Sequence, residues 1–389
     1  MYKIQTLNEI SDQGLSLLPK DRFSVSKDEK QPDGMILRSF KMHGMELPDS
    51  LKAVARAGAG TNNIPVDQCS NKGIVVFNTP GANANSVKEM VITGMLLSSR
   101  KITESIAWSQ TLKGKGDEVP KLVEDGKKNF AGPEIAGKRL AVVGLGAIGV
   151  LVANAAESLG MEVYGYDPYI SIESAWGLSR SVQRATSLEG CIAEADFISL
   201  HIPLLDSTKE IINEKLLMKL KKGVRVLNFA RGELVSNQGM LKALEKGVVS
   251  TYVTDFPTDD LLQNPGVLPI PHLGASTPEA EENCAIMAAN QLREYLLTGN
   301  IINSVNFPSC KMDFSCPVRL TIANKNIPNM VGQITTILAE ENINIADMLN
   351  KHHGDMAYNI IDLDGDVSDR ALEKLKAING VVMTRVIRK

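Results

Sequence analysis

The chain has 389 residues, 43% of them hydrophobic and 22% charged, with a formal net charge of −3. That is the composition of a globular protein with room for two or three cored domains, and a slightly acidic chain without a basic block is poorly suited to nucleic acid. The longest apolar run, Leu140 to Ala153, is too short for a membrane span, the N-terminus lacks a secretory apolar stretch, and the five cysteines lack C-x-x-C spacing; a cytoplasmic protein with reduced thiols and no metal site is expected.

Residues 1 to about 100 alternate strand-like and helix-like segments. Gly34–Arg38, Leu51–Arg56 and Gly73–Phe77 read as strands, each ending in polar or glycine residues, where an open α/β sheet places its ligand loops. Ser86 to Arg100 reads as a helix, and Lys113 to Lys128, rich in Gly, Lys and acids, as a surface loop. A second α/β unit follows, with strands at Leu140–Val143, Glu162–Asp167, Ala195–His201, Gly223–Asn228 and Val248–Val253. Pro278 to Thr298 reads as a long amphipathic helix. Residues 304–317, interrupted by polar breaks and prolines, read as a linker. Beyond them the order β-α-β-β-α-β is that of a ferredoxin-like unit. The fold class is therefore α/β: two doubly wound parallel-sheet domains, then a small third domain. The expected boundaries are 1–101 with 277–303, 102–276, and 318–389.

The second unit opens with Arg139-Leu-Ala-Val-Val-Gly-Leu-Gly-Ala-Ile-Gly149. A strand, a glycine turn and a helix start in this order form a dinucleotide-binding turn. Gly144 permits the tight turn, Gly146 lets a pyrophosphate approach the backbone, and Gly149 lets helix and strand pack closely. Unpaired N–H groups at the helix start favour the phosphates. Asp167 lies 18 residues past Gly149, where an acid would hold the adenosine ribose hydroxyls. No Arg or Lys follows directly to accept a 2′-phosphate, so NAD is expected over NADP.

Three later strand ends carry polar groups. Arg231, in Asn228-Phe-Ala-Arg-Gly, has a planar fork suited to a carboxylate and its neighbouring carbonyl. His272, in Ile270-Pro-His-Leu-Gly274, is suited to exchanging a proton near neutral pH. Between them lies Asp255-Phe-Pro-Thr-Asp259-Asp260; a carboxylate on the second imidazole nitrogen would set its tautomer. Taken singly, and without the nucleotide turn, Arg231 reads rather as a surface ion pair, His272 as a structural histidine and Asp259 as a turn acid. The nucleotide turn upstream directs the set towards hydride transfer at a 2-hydroxy acid.

The sequence resembles the D-isomer-specific 2-hydroxyacid dehydrogenases over nearly its whole length. The motifs are Arg56-Ala-Gly-Ala-Gly60, Asn78 to Glu89, Gly137 to Gly149, His201-Ile-Pro203, Asn228 to Val235 and Pro271 to Ser276. Within the family it looks like the members that carry a C-terminal ACT domain and oxidise D-3-phosphoglycerate with NAD, the first step of L-serine synthesis. The resemblance implies that Arg231 binds the substrate carboxylate and 2-oxygen and that His272 takes the hydroxyl proton. The family's acid partner falls on Asp259, with Asp260 as the rival. NAD would meet Gly144, Gly146, Ala147, Ile148, Asp167, His201, Pro203, Ala230, Asp255 and Gly274. The substrate would meet Ala59, Gly60 and Asn83, with Arg38, Lys41 and Arg56 at strand ends supplying charge for its phosphate. Lys88 reads either as a further substrate contact or as a helix-surface charge. The first unit and the helix after residue 277 would form a split substrate domain, closing by a hinge on the NAD domain.

The ACT resemblance implies a module that binds an amino acid at a dimer interface. Asn324, Asn326 and Asn344 are its candidate effector contacts, L-serine the candidate ligand, and a homodimer or homotetramer the expected assembly; a purely oligomerising module is the alternative. Other substrates remain open (glyoxylate, hydroxypyruvate or D-lactate), as does an NAD-sensing regulatory protein on the same fold.

Overall fold

The computed structural model describes residues 1–389. Short runs of Val, Ile, Leu and Ala become strands buried on both faces, as a parallel sheet covered by helices requires. In the N-terminal region β1 (Tyr2–Thr6), β2 (Phe23–Ser26), β3 (Gly34–Leu37), β4 (Ala53–Arg56) and β5 (Val75–Phe77) form a parallel sheet in the order β2-β1-β3-β4-β5. Ile4, Ile36, Val75 and Phe77 pack with Ala288, Leu292 and Tyr295 of the helix Pro278–Thr298.

The second sheet contains β6 (Arg139–Val143), β7 (Glu162–Tyr166), β8 (Gln183–Arg184), β9 (Phe197–Leu200), β10 (Val224–Asn228), β11 (Val249–Thr254) and β12 (Val267–Pro269). All its pairs are parallel, in the order β12-β11-β10-β9-β6-β7-β8. The chain leaves β6 towards β7 and later returns on its other side as β9. Strand order reverses between β6 and β9, and open α/β sheets bind ligands beyond the carboxyl ends at such a point.

The C-terminal region has the expected β-α-β-β-α-β order. β13 (Val318–Lys325), β14 (Ile345–His353), β15 (Met356–Leu363) and β16 (Val381–Arg388) form an antiparallel sheet in the order β14-β15-β13-β16. The helices Met330–Glu340 and Asp369–Lys376 cover one face through Ile334, Leu338, Ala371 and Leu375. From the other face Ala323, Tyr358 and Ile360 join the core of the first sheet.

The boundaries differ from those expected. The compact units are residues 1–83 with 278–389, and residues 84–277. The helix Ala84–Ser99 belongs to the second unit, because Val87, Val91 and Met95 pack on Leu140, Val142, Leu227 and Phe229. A Cβ on Gly94 would come within 3.1 Å of Leu227, so the helix sits directly on the sheet. The C-terminal sheet is part of the first unit. Residues 304–317 are a packed strap: buried Asn306 accepts from Val76 N–H at 2.8 Å and donates to Ile74 C=O at 2.9 Å. Arg319, fully buried with Asp362, binds that carboxylate at 2.6 and 2.9 Å and donates to the carbonyls of Thr298, Met312 and Asp313. A buried guanidinium is tolerable only when satisfied this fully. The surface loop expected at 113–128 contains the helix Val119–Gly126. No helix is long and apolar enough to cross a membrane.

Candidate active site

In the second unit the glycine turn has the geometry a dinucleotide requires. Gly144 has φ +93°, and a Cβ there would lie 2.5 Å from the carbonyl oxygen of His201, where the ends of β6 and β9 meet. A Cβ on Gly149 would lie 1.9 Å from the Gly144 carbonyl oxygen, so only glycine lets the helix Ala147–Ser158 start against the strand. Gly146 is exposed, and a Cβ there would meet nothing within 4 Å. That open space lies at the helix N-terminus, which no side chain caps, leaving its N–H groups for phosphate oxygens. Asp167 accepts Leu145 N–H and Tyr169 N–H, each at 2.8 Å, which fixes its carboxylate beside the turn. Ala147 and Ile148 open the helix. The residues present therefore fit NAD. The His201 ring lies 2.8 Å from Ser199 Oγ, and burial pushes its pKa down to about 3, so the imidazole is neutral at ordinary pH. Pro203 follows on the exposed segment after β9.

β10, β11 and β12 are neighbours and run parallel. Their carboxyl ends therefore present Arg231, Asp255 and His272 along the same edge of the sheet as the glycine turn. Each is held by local structure. Asn228, fully buried, donates to Arg231 C=O at 2.9 Å and accepts from Ala230 N–H at 3.2 Å, shaping the loop that carries the exposed Arg231. The guanidinium itself donates to Ala230 C=O at 2.6 Å. Gly232 lies against Phe256, whose ring meets the His272 ring edge-on at 4.9 Å. Phe256 is thus a common wall for the Arg231 loop and the His272 imidazole. His272 is exposed and has φ +52°, a left-handed conformation that costs energy in a non-glycine residue.

What holds that conformation is Asp255. It is 1% exposed, and its two oxygens accept Leu273 N–H at 2.8 Å and Gly274 N–H at 3.0 Å. The sequence suggested Asp255 as a cofactor contact; in the structure its carboxylate is committed to the His272 loop. The expected acid partner is not assembled: neither Asp259 nor Asp260 bonds to His272. Both open the short helix Asp259–Leu262 and are taken by local donors. Asp259 accepts from Gln263 at 3.3 Å, and Asp260 from Thr258 and Asn237. The Thr258 hydroxyl holds Asp260 below the usual carboxylate range. Asn228 and Phe256, which position the Arg231 loop and the His272 imidazole, were not legible as site residues. The one available signal was a short polar residue ending the strand-like run Val-Arg-Val-Leu-Asn.

In the first unit the candidate substrate residues gather at the carboxyl ends of β3 to β5. Arg56 Nε donates to Arg38 C=O at 3.1 Å, and Asn63 donates to the same oxygen. The loop after β5 is tied to the loop after β4 by Asn78 Nδ2 to Ala59 C=O at 2.7 Å and by Thr79 N–H to Gly58 C=O at 3.1 Å. The amides of Ala59 and Gly60 make no hydrogen bond within the chain. Buried oxygens of Asn63, Thr79 and Asn83 also lack partners, and unsatisfied polar atoms gathered at strand ends mark a place built for a ligand. Glu281, on the long helix, pairs with Arg38 at 2.5 Å and offsets its charge. Lys41 is exposed. Lys88 lies in the second unit and bonds to Asn85 at 2.5 Å on its own helix.

The effector candidates do not converge within one chain. Asn324 is buried and donates to Lys325 C=O at 2.7 Å while accepting from Asn359 at 2.8 Å. Asn326 bonds to the β14–β15 turn at Gly354, and Asn344 to Asp364 at the opposite end of that strand pair. Strands of this length rise about 3.3 Å per residue, which separates Asn326 and Asn344 by roughly 25 Å.

Comparison with known proteins identifies the architecture. The model of the D-isomer-specific 2-hydroxyacid dehydrogenase NAD-binding domain matches residues 92–274. The chain is 32% identical over 355 residues to the D-3-phosphoglycerate dehydrogenase of Haemophilus influenzae, covering 88% of this chain and 83% of that protein. It belongs to the D-isomer-specific 2-hydroxyacid dehydrogenases. The Escherichia coli K12 D-3-phosphoglycerate dehydrogenase is similar at 32% identity over 358 residues, covering 87% of this chain and 82% of its own. A solved structure, the NAD⁺-bound 3-phosphoglycerate dehydrogenase of Entamoeba histolytica, superposes with a TM-score of 0.60 at 27% identity, over 78% of this chain and 98% of that one. As a family member the chain is an NAD-dependent oxidoreductase. Gly144, Gly146, Gly149 and Asp167 are the residues of this chain whose geometry suits that cofactor.

Proposed function

We propose that this dehydrogenase oxidises D-3-phosphoglycerate to 3-phosphohydroxypyruvate with NAD, in the cytoplasm, as the first step of L-serine synthesis. The observation that carries the substrate is the pair Arg38 and Arg56 at the ends of β3 and β4, beside the unpaired amides of Ala59 and Gly60. Two guanidinium groups suit a phosphate dianion, and free amides suit a carboxylate. The names of the relatives that match over most of their length support the same choice.

Bound NAD supplies the acceptor for the hydride that leaves C2. Arg231 holds the substrate carboxylate and 2-oxygen with its fork. His272 takes the hydroxyl proton as the C2–O bond becomes a carbonyl, and returns it in the reverse direction. Asp255 and Phe256 hold the imidazole for that transfer. Asn83 adds a polar contact to the substrate. Asp259 and Asp260 are bonded to local donors, so the acid that sets the imidazole's position is Asp255, through the loop it holds.

A second reading, reduction of an unphosphorylated acid such as glyoxylate or hydroxypyruvate, is favoured by one observation: Glu281 offsets the charge of Arg38. The C-terminal domain, in this proposal, binds L-serine. Because Asn326 and Asn344 lie at opposite ends of the sheet, an effector site using both draws them from two chains, which calls for a homodimer or a larger assembly.

The test is a substrate panel at fixed NADH (3-phosphohydroxypyruvate, hydroxypyruvate, glyoxylate and pyruvate), each with and without L-serine. Preference for the phosphorylated acid, abolished in Arg56→Ala, establishes the reading. Preference for an unphosphorylated acid replaces it with the second. Binding of NADH without turnover of any acid would turn attention to a regulatory protein. Serine insensitivity would leave the C-terminal domain as an assembly module.

A further inference from the structure

A cavity of about 330 Å³ lies within the first unit, at the opposite strand ends from the substrate residues, between the amino ends of β4 and β5 and the edge strand β16. It is lined by Lys52 just before β4, Lys72 just before β5, Lys376 at the end of the helix Asp369–Lys376, and Arg385 of β16. Asp49 is its one acid. The floor is closed where Gly73 meets β16, since a Cβ on Gly73 would lie 2.5 Å from Met383 Cβ.

The positive charge here is only partly compensated. Lys52 has a partly buried partner in Asp33. Lys72 bonds to Leu47 C=O at 2.9 Å and reaches Asp49 at 3.3 Å, but the Asp49 side chain is fully exposed. Lys376 pairs with Glu373, 74% exposed, one helical turn away. Exposed pairs of that kind hold little energy and are screened by salt. Arg385 is buried and bonds to the carbonyls of Tyr295 and Leu296 and to the Tyr2 hydroxyl, with no carboxylate among its partners. Neutral donors complete the lining. β16 is paired on one side only, so alternate N–H groups point away from β13. Thr384 Oγ1 is buried without a partner.

We propose that this cavity is a binding site for a small polyanion, of the phosphate or pyrophosphate class, separate from the catalytic residues. Its volume is at the lower end of ligand pockets. Lysines from three elements and unpaired N–H groups match an anion with several oxygens. A ligand here bridges the amino ends of β4 and β5 to the C-terminal domain. The opposite ends of those strands carry Arg56 and the Asn78–Asn83 loop, so the site couples an anion signal to the elements that present substrate residues.

The test is calorimetric titration of pyrophosphate into the full chain, at saturating NADH to fill the nucleotide turn and at constant ionic strength. Saturable binding is expected. Removing one charged donor weakens such a contact about tenfold. Lys376→Gln should therefore weaken it about tenfold, and Lys72→Gln with Lys376→Gln about a hundredfold, without altering kcat in the absence of the anion. Both side chains are about half exposed (47% and 55%), so the variants fold. Arg56→Ala should bind pyrophosphate as the parent does. Absence of saturable binding, undiminished affinity in the double variant, or loss of binding in Arg56→Ala would each overturn the proposal. Loss in Arg56→Ala would place the anion at the substrate residues instead.

Discussion

Gly146→Ala separates cofactor binding from folding. Gly146 has φ −74° and ψ −166°, which alanine adopts freely, and its Cβ would meet nothing within 4 Å. The Tm should therefore stay within about one degree of the parent. The added methyl occupies the space through which a pyrophosphate reaches the N–H groups of the helix Ala147–Ser158. Losing one or two charge-assisted hydrogen bonds, at about 1.5–3 kcal/mol each, weakens NADH by roughly tenfold to 10⁴-fold. Gly149→Ala is the control with the opposite signature. Its Cβ would fall 1.9 Å from a backbone oxygen, well inside the ~3.5 Å of ordinary contact, so the helix must move and about 1–3 kcal/mol of stability is lost. The assay is NADH fluorescence titration beside thermal unfolding for both variants. A Gly146→Ala protein that binds NADH like the parent would show that the space before Gly146 is not where the cofactor lies.

Four further outcomes test other parts of the reading. His272→Ala should lower kcat by about 10²–10⁴-fold with a much smaller change in KM; steady-state kinetics with near-parental kcat would remove His272 from proton transfer. Asp255→Asn keeps one acceptor and sets an NH₂ group against the other backbone N–H. A cost of about 1–3 kcal/mol should appear in thermal unfolding together with a fall in kcat, and an unchanged kcat would mean that the His272 loop does not need this carboxylate. Glu281→Gln frees Arg38, so KM for 3-phosphohydroxypyruvate should fall while KM for hydroxypyruvate stays constant; equal changes in both would separate the Arg38–Glu281 pair from phosphate recognition. His201 is held neutral by burial with its pKa near 3, against ~6.5 in the unfolded chain. The unfolded state therefore binds the extra proton, and stability falls as pH drops below about 6.5 towards 3. Denaturant titrations from pH 7 to 5 should show this slope, and His201→Gln should lessen it.

Much of this protein is local and was readable from the chain alone. The glycine spacing around Gly144–Gly149, the acid at Asp167, the strand ending at Asn228, and the C-terminal β-α-β-β-α-β order depend on near neighbours, on backbone sterics and on apolar periodicity. The short strands β1, β2 and β12 were not singled out, because three to five residues carry too little periodicity to stand apart from a loop. Tertiary packing decided the rest. The helix Ala84–Ser99 has an apolar stripe that either sheet could have covered, and only three-dimensional packing assigns it to the second. Residues 304–317 look like a tether until Asn306 and Arg319 find partners far away in sequence. The acid beside His272 was implied by the family resemblance, yet the start of a short helix turns Asp259 and Asp260 to local donors, and Asp255, at the end of the strand next to the one that carries Arg231's loop, takes over the positioning. A sequence fixes which groups can donate, accept or turn; which of them meet depends on the register and order of strands, and those are set by the whole core at once.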